Sequence, residues 1–128
     1  MKLFSSRIKI LVVLIYLLIS SHLIVSPTLI SAQTISENES IPQIITRRAI
    51  EEGLDSQRLL RIAKCESGFN PKALGPGGAT GLFQFLPGTF RWAEQLLGKS
   101  LNILDAKDNL DAAIIVMKTS GFQHWTCK

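Results

Sequence analysis

A single glutamate, Glu66, stands where the helical pattern would otherwise place an apolar residue. Leu59, Ile62 and Ala63 recur at the spacing of one helix face, and the next position on that face is Glu66. Burial and the negative end of the helix dipole both disfavour a charged carboxylate, so we expect a raised pKa for Glu66. A carboxyl that stays protonated near neutral pH can act as a general acid. The alternative is a glutamate of the last helical turn whose side chain lies in solvent.

Four helices are predicted to position this glutamate. Their expected spans are 41 to about 52, 55 to about 67, 87 to 97 and about 108 to 119. Asp55 or Ser56 can cap the second helix, Asn70-Pro71 prevents its continuation, and Gly98 ends the third. The last helix is apolar on several faces and is expected to be the most buried. No stretch alternates as a strand, so the predicted fold class is mainly α, a compact orthogonal helical domain.

A glycine-rich loop, residues 75–81, joins the second and third predicted helices. It lacks the Lys-Ser/Thr of a phosphate-binding loop, and no strand precedes it. One interpretation is a tight turn between two helices. The other is a backbone that must pass close to a ligand or a neighbouring helix, where a side chain would not fit. The sequence leaves both open.

Residues 1–32 are typical of a secretory signal peptide. Lys2, Arg7 and Lys9 form a charged start, a long apolar run follows, and Ser31-Ala32 is a small-residue exit. A retained membrane anchor is the alternative, although serines and a proline interrupt the run. Residues 33–40 form a polar linker, and 41–128 are predicted to be one domain. We therefore expect a secreted or otherwise extracytoplasmic protein, in the cell wall or periplasm.

The charge of the chain belongs mostly to this export segment. The 128 residues carry 14 Lys and Arg against 10 Asp and Glu, and 46% are hydrophobic. Removing the three cations of residues 1–32 leaves 11 basic against 10 acidic residues. A near-neutral domain has no cationic stripe able to neutralise several phosphates, so nucleic-acid binding is not expected. Contact with a membrane is expected only through an uncleaved N-terminal segment.

Four motifs occur in an order that resembles a known family. They are CESGFNPKA at 65–73, GATGLFQF at 78–85, PGTF at 87–90 and GFQHWTC at 121–127. The first three are similar to the soluble lytic transglycosylases, and the last is similar to the resuscitation-promoting factors. Both groups belong to the lysozyme-like superfamily. The resemblance covers about residues 55–128 and is specific to the superfamily.

The resemblance implies cleavage of the β-1,4 bond between N-acetylmuramic acid and N-acetylglucosamine in peptidoglycan. Glu66 matches the catalytic glutamate, which would protonate the leaving oxygen and then activate the muramoyl C6 hydroxyl, giving 1,6-anhydro ends. This chemistry needs no metal or organic cofactor, and a monomer is expected. Many transglycosylases also carry a helper tyrosine, but the one tyrosine here, Tyr16, lies in the export segment. That departure points to the shorter relatives.

Four further residues are candidates for binding the glycan. Gln84 matches the family glutamine, whose amide suits a sugar acetamido or hydroxyl group, although it could equally fix the loop through a backbone bond. Ser67 could bond the glutamate or cap the helix end. Phe83 and Trp125 could each offer a ring face to a sugar, although aromatic residues of a small domain often belong to its core.

A hydrolytic muramidase is the alternative reaction, and a weakly active wall-binding or resuscitation-type domain is the alternative class. Hydrolysis generally uses a second carboxylate. Of the downstream candidates, Asp108 is expected to cap the last helix, Asp111 to lie in its first turn and Glu94 on a solvated face. Asp105, expected in a loop, is the one that could assist hydrolysis.

Cys65 and Cys127 are the two cysteines of the chain. With one half of the pair beside Glu66, a disulfide would bring the chain end to the candidate site, and an exported protein can keep such a bond. The alternative is one inert buried thiol and one reactive terminal thiol. No His/Asp set accompanies either cysteine, so thiol catalysis is not expected, and the chain lacks the Cys/His pairs of a zinc site.

Overall fold

The computed structural model describes residues 39–127, and these are mainly α-helical. The helices are α1 (Ile41–Glu51), α2 (Ser56–Ser67), α3 (Pro87–Leu97) and α4 (Ala106–Ser120), with one 3₁₀ turn at Pro76–Gly78. Within these residues there is no strand, only isolated bridges between Leu74 and Thr80 and between Thr80 and Phe85. The mainly α fold class is confirmed.

The predicted signal peptide and nearly all of the predicted linker lie outside the described residues. The boundaries at 32 and 40 therefore stay predictions. Among the described helices, none has the length and apolar character needed to cross a bilayer.

The ends of the helices follow from local chemistry. Gln43 accepts a hydrogen bond from the Ser40 backbone at the start of α1, at 2.8 Å. The Asp55 carboxylate caps α2 by accepting from the amides of its first turn. Gly68 and Gly98 end α2 and α3 in the left-handed conformation, with φ of 60° and 65°.

The start of α4 differs from the prediction. Asp105, not Asp108, is the N-cap, because its Oδ1 accepts from the backbone amides of Lys107 and Asp108 at 2.9 and 3.0 Å. Asp108 lies in the first turn and accepts from the Asn102 amide at 2.8 Å. The helix therefore begins at Ala106, two residues earlier than expected.

Helix α4 carries much of the core, as predicted. Its buried residues are Asn109, Leu110, Ala112, Ala113, Ile114, Val116 and Met117. Helix α1 packs against α2 and α4, and α3 packs against α4. Asn109 is the one fully buried polar side chain among the described residues. It satisfies both ends of its amide, accepting from the Phe83 amide and donating to the Ile103 carbonyl, each at 2.8 Å.

The glycine-rich loop passes close to this asparagine. Gly81 has φ +86°, and a Cβ built on it would overlap Asn109 Nδ2 and the Ile103 carbonyl oxygen. The interpretation of a backbone that must pass close to a neighbouring helix is therefore the one observed at Gly81.

Gly81→Ala is expected to destabilise the domain by about 3 kcal/mol, because it adds a left-handed alanine and a steric overlap at once. The measurement is the free energy of unfolding in urea. Gly98→Ala is the matched control, since Gly98 also has positive φ but nothing lies within 4 Å of its added Cβ. The control should cost only about 1 kcal/mol. Equal losses in the two variants would contradict the close approach.

Candidate active site

Glu66 is the penultimate residue of α2, and its side chain is half-buried. Burial raises the pKa of its carboxyl above the ordinary value of 4.5, and the backbone amide of Cys127 opposes that rise in part. The direction agrees with the prediction from helical spacing. The side chain is thus not simply released into solvent from the last turn.

A disulfide joins Cys65 to Cys127, as predicted, with their Cα atoms 6.0 Å apart. The described residues contain no free cysteine, so the alternative of a buried thiol and a reactive thiol is excluded. The bond fixes residue 127 beside the residue that precedes Glu66. This explains how a backbone amide from the far end of the chain reaches the carboxyl.

Ser67 contacts two backbone carbonyls and not the Glu66 carboxyl. Its hydroxyl lies 2.7 Å from the Leu82 carbonyl oxygen and 3.1 Å from the Ala63 carbonyl oxygen. The contact with Leu82 is the shorter one, and it connects the end of α2 to the segment that carries Gln84. Ser67 therefore joins the two candidate motifs, from the position next to Glu66.

Gln84 is half-buried, and its backbone is left-handed, with φ 49°. Its Nε2 donates to the carbonyl oxygens of Ala73, at 3.1 Å, and Gly81, at 2.9 Å. These are the loop-fixing bonds that the sequence left as an alternative. Its Oε1 lies over Gly75, where an added Cβ would overlap it. Within the described residues Oε1 has no hydrogen-bond partner, whereas Nε2 has two.

Phe83 and Trp125 lie in the core. Phe83 is fully buried and Trp125 is 4% exposed. Their rings meet edge to face with centroids 6.3 Å apart, and Trp125 Nε1 donates to the Phe83 carbonyl at 2.9 Å. In this conformation neither ring presents a face to a sugar. Their placement favours the core role over the expected contact with the glycan.

Comparison with known proteins decides the family. The sequence profile of the Transglycosylase SLT domain matches residues 43–123, which is more than half of the chain. The chain belongs to the Transglycosylase SLT family. The SLT domain is also similar to an inactive mutant of the lytic transglycosylase Slt from Pseudomonas aeruginosa, at 30% identity and a TM-score of 0.48. That match covers 61% of this chain and only 14% of the other, so this chain corresponds to a small part of the larger protein.

The other candidate carboxylates of the SLT domain have structural partners. Asp105 was expected in a loop, but it is the N-cap of α4. Asp111 pairs with Arg48 of α1 at 2.8 Å and with Lys99 at 3.2 Å. Glu94 is half-buried rather than on a solvated face, and it accepts from the Leu101 amide at 2.8 Å. Each of these three groups therefore has a structural role, as a helix cap, an ion-pair partner or an acceptor for a loop amide.

Two structurally important groups of the SLT domain were not predicted from the sequence. One is Asn109, whose carbonyl oxygen holds the Phe83 amide. A polar residue beside the apolar face of the most buried helix was the available signal for it. The other is the backbone amide of Cys127, and no residue type can signal a backbone group.

Proposed function

We propose that this SLT domain cleaves peptidoglycan as a lytic transglycosylase, with Glu66 as its single acid and base. In the first step the Glu66 carboxyl gives its proton to the glycosidic oxygen as that bond breaks. In the second, the Glu66 carboxylate takes the proton of the muramoyl C6 hydroxyl, whose oxygen bonds to C1 and closes the 1,6-anhydro ring. The carboxyl is then protonated again, so the cycle balances without water.

Among the carboxylates of residues 39–127, the observation that carries this proposal is the partial burial of Glu66, which raises the pKa of its carboxyl although the Cys127 amide opposes the rise in part. Every other carboxylate there is hydrogen-bonded to a cation or to a backbone amide. These are Glu39, Glu51, Glu52, Asp55, Glu94, Asp105, Asp108 and Asp111. The arginine or lysine partners of Glu39, Glu51 and Glu52 lower the pKa of those carboxyls and favour the charged form, whereas burial raises the pKa of Glu66 and favours the protonated form. A general acid needs the latter.

The partners of these carboxylates also favour intramolecular attack by the substrate over hydrolysis by water. A hydrolase generally needs a second carboxylate to activate water or to stabilise the positive intermediate. The remaining carboxylates of the described residues serve as caps, loop acceptors or ion-pair partners. In the proposed reaction the C6 hydroxyl of the substrate is the nucleophile, and its acetamido group stabilises the positive intermediate, so no second carboxylate is needed.

Glycan contacts are proposed for the Oε1 atom of Gln84 and for the half-buried Ser67 beside Glu66. An acetamido N–H or a sugar hydroxyl could donate to Oε1, which keeps free acceptor capacity. An extracytoplasmic location is part of the proposal, because peptidoglycan lies there and because disulfides persist there. Cleavage of the N-terminal segment would release the domain from the membrane.

The test is digestion of purified peptidoglycan followed by mass spectrometry of the released fragments. Anhydro ends support the proposal, and reducing ends indicate a hydrolytic muramidase instead. If no fragments form while the protein still sediments with the wall, the domain is a binding module and the proposed activity is wrong.

The pH dependence follows from the role of Glu66 as the acid. Because the protonated carboxyl is the active form, kcat/KM should fall as pH rises through the raised pKa of Glu66, above 4.5. The measurement is the rate of fragment release from acid to neutral pH at constant ionic strength. Glu94→Gln, which removes a half-buried carboxyl elsewhere, should leave the profile unchanged. A rate that rises through this range would assign the acid to another group.

A further inference from the structure

Three side chains from different elements converge on two consecutive residues, Leu82 and Phe83. Ser67, at the end of α2, donates to the Leu82 carbonyl at 2.7 Å. Asn109 of α4 accepts from the Phe83 amide at 2.8 Å. Trp125, near the chain end, donates from Nε1 to the Phe83 carbonyl at 2.9 Å. Side chains thus replace the sheet or helix that would ordinarily satisfy these backbone groups.

The residue held by this arrangement is Gln84, which follows directly. A left-handed glutamine is strained and persists only where its surroundings fix it. Bonds within residues 80–85 are short-range: Gln84 donates from its amide to Gly81, and Phe85 pairs with Thr80. Gly81 N and Gln84 Nε2 also donate to the Ala73 carbonyl, but the three side-chain bonds are the ones that connect this segment to α2, α4 and the C-terminal segment.

Trp125 differs from the other two because it belongs to the C-terminal segment, whose Cys127 amide reaches the Glu66 carboxyl. It lies two residues before Cys127, which is bonded to Cys65. The C-terminal segment, residues 121–127, is therefore fixed at two points. One point is beside Gln84, through Trp125, and the other is beside Glu66, through the disulfide. Trp125 also packs against Phe85, with ring centroids 5.8 Å apart, which further stabilises the attachment of the C-terminal segment beside Gln84.

We propose that Trp125 is a positioning residue of this site, whose indole N–H holds the Phe83 carbonyl and thereby fixes Gln84 relative to Glu66. It touches no substrate, since its ring is buried. The inference rests on the proposed function for its effect on the rate, but the bond itself is testable without any activity.

The test is Trp125→Phe, which keeps an aromatic ring and removes the donor. We expect kcat on soluble peptidoglycan glycan fragments to fall roughly tenfold, because a glycan bound through Gln84 is then no longer placed correctly against the Glu66 carboxyl. Hydrogen exchange should quicken at the amides of Phe83 and Phe85 and stay unchanged in α1. Replacing Trp125 by benzothienylalanine, which has nearly the same shape and no N–H, gives the same comparison if the phenylalanine variant fails to fold.

Two controls separate positioning from general loss of stability. Trp92→Phe makes the same chemical change at a half-buried tryptophan whose indole has no hydrogen bond within residues 39–127. Ile45→Val removes one buried methyl group from the core of α1, at a site remote from residue 83 in the sequence. Both should leave kcat and the exchange of Phe83 unchanged.

The outcomes overturn different statements. An unchanged kcat in Trp125→Phe, or a loss matched by Ile45→Val at equal melting temperature, overturns the positioning role. Unchanged exchange at Phe83 and Phe85 overturns it as well, whatever the activity. If the unaltered protein releases no fragments, the proposed function fails, and the exchange measurement still decides whether Trp125 holds the segment.

Discussion

Glu66→Gln is expected to reduce fragment release by roughly 1,000-fold or more, because one side chain supplies both the acid and the base of the proposed reaction. Glutamine preserves the shape of the side chain and can still accept from the Cys127 amide, so the fold should persist. The measurement is the initial rate of release of anhydro fragments. Glu94→Gln is the matched control, since the amide oxygen of glutamine can keep the bond to Leu101. Normal cleavage by Glu66→Gln would overturn the assignment of the site.

The same variant should be more stable than the unaltered protein at neutral pH. Because folding raises the pKa of Glu66, protonation of this group favours the folded state. That contribution is fully present below the pKa of the unfolded chain and is lost as pH rises through the folded pKa. Glutamine cannot ionise, so its advantage in melting temperature should appear above that pKa and vanish in acid. A disadvantage at neutral pH would mean that the carboxylate is stabilised, as in a structural cap.

The helices were predictable because their signals are local. Asp55, Gly68 and Gly98 act on residues within one turn of themselves, and α2 and α3 have the predicted ends. The predicted start of α4 was wrong, and the reason is again that the signals are local. Asp105 and Asp108 are both acceptable N-caps three residues apart, and the Asn102 amide that occupies Asp108 lies in a loop with no pattern of its own.

The candidate site was only partly predictable, because its decisive contacts join distant parts of the chain. Helical spacing drew attention to Glu66 but left a solvent-exposed side chain as the alternative, and the family motifs around it made it the catalytic candidate. The indole bond of Trp125 crosses 42 residues and the Asn109 bond crosses 26. The amphipathic nature of tryptophan allowed both a sugar platform and a core anchor, and the decision depends on where the Phe83 carbonyl points. Gln84 was ambiguous for the same reason, since an amide serves a loop and a ligand equally well.

Replacing both Cys65 and Cys127 by alanine is expected to lower the free energy of unfolding by about 4 kcal/mol. The bond closes a loop with a sequence separation of 62, and in the chain-entropy model its loss restores that much freedom to the unfolded chain. In a domain of this size such a change corresponds to a fall in melting temperature of about 20 °C. The measurement is urea unfolding of the double variant beside the unaltered protein, which takes up no alkylating reagent if the bond is intact.

The effect of the double variant on cleavage should be smaller than its effect on stability. Removing the bond frees residue 127 from Glu66, but Trp125 still holds the C-terminal segment to Phe83, and Glu66 itself is unchanged. We therefore expect the folded double variant to keep measurable cleavage well below its melting temperature, and to lose it when Trp125→Phe is added. A double variant as inactive as Glu66→Gln would show that the disulfide, and not the indole bond, sets the position of the Glu66 carboxyl. Loss of less than about 1 kcal/mol would show that the unfolded chain is already restricted without the bond.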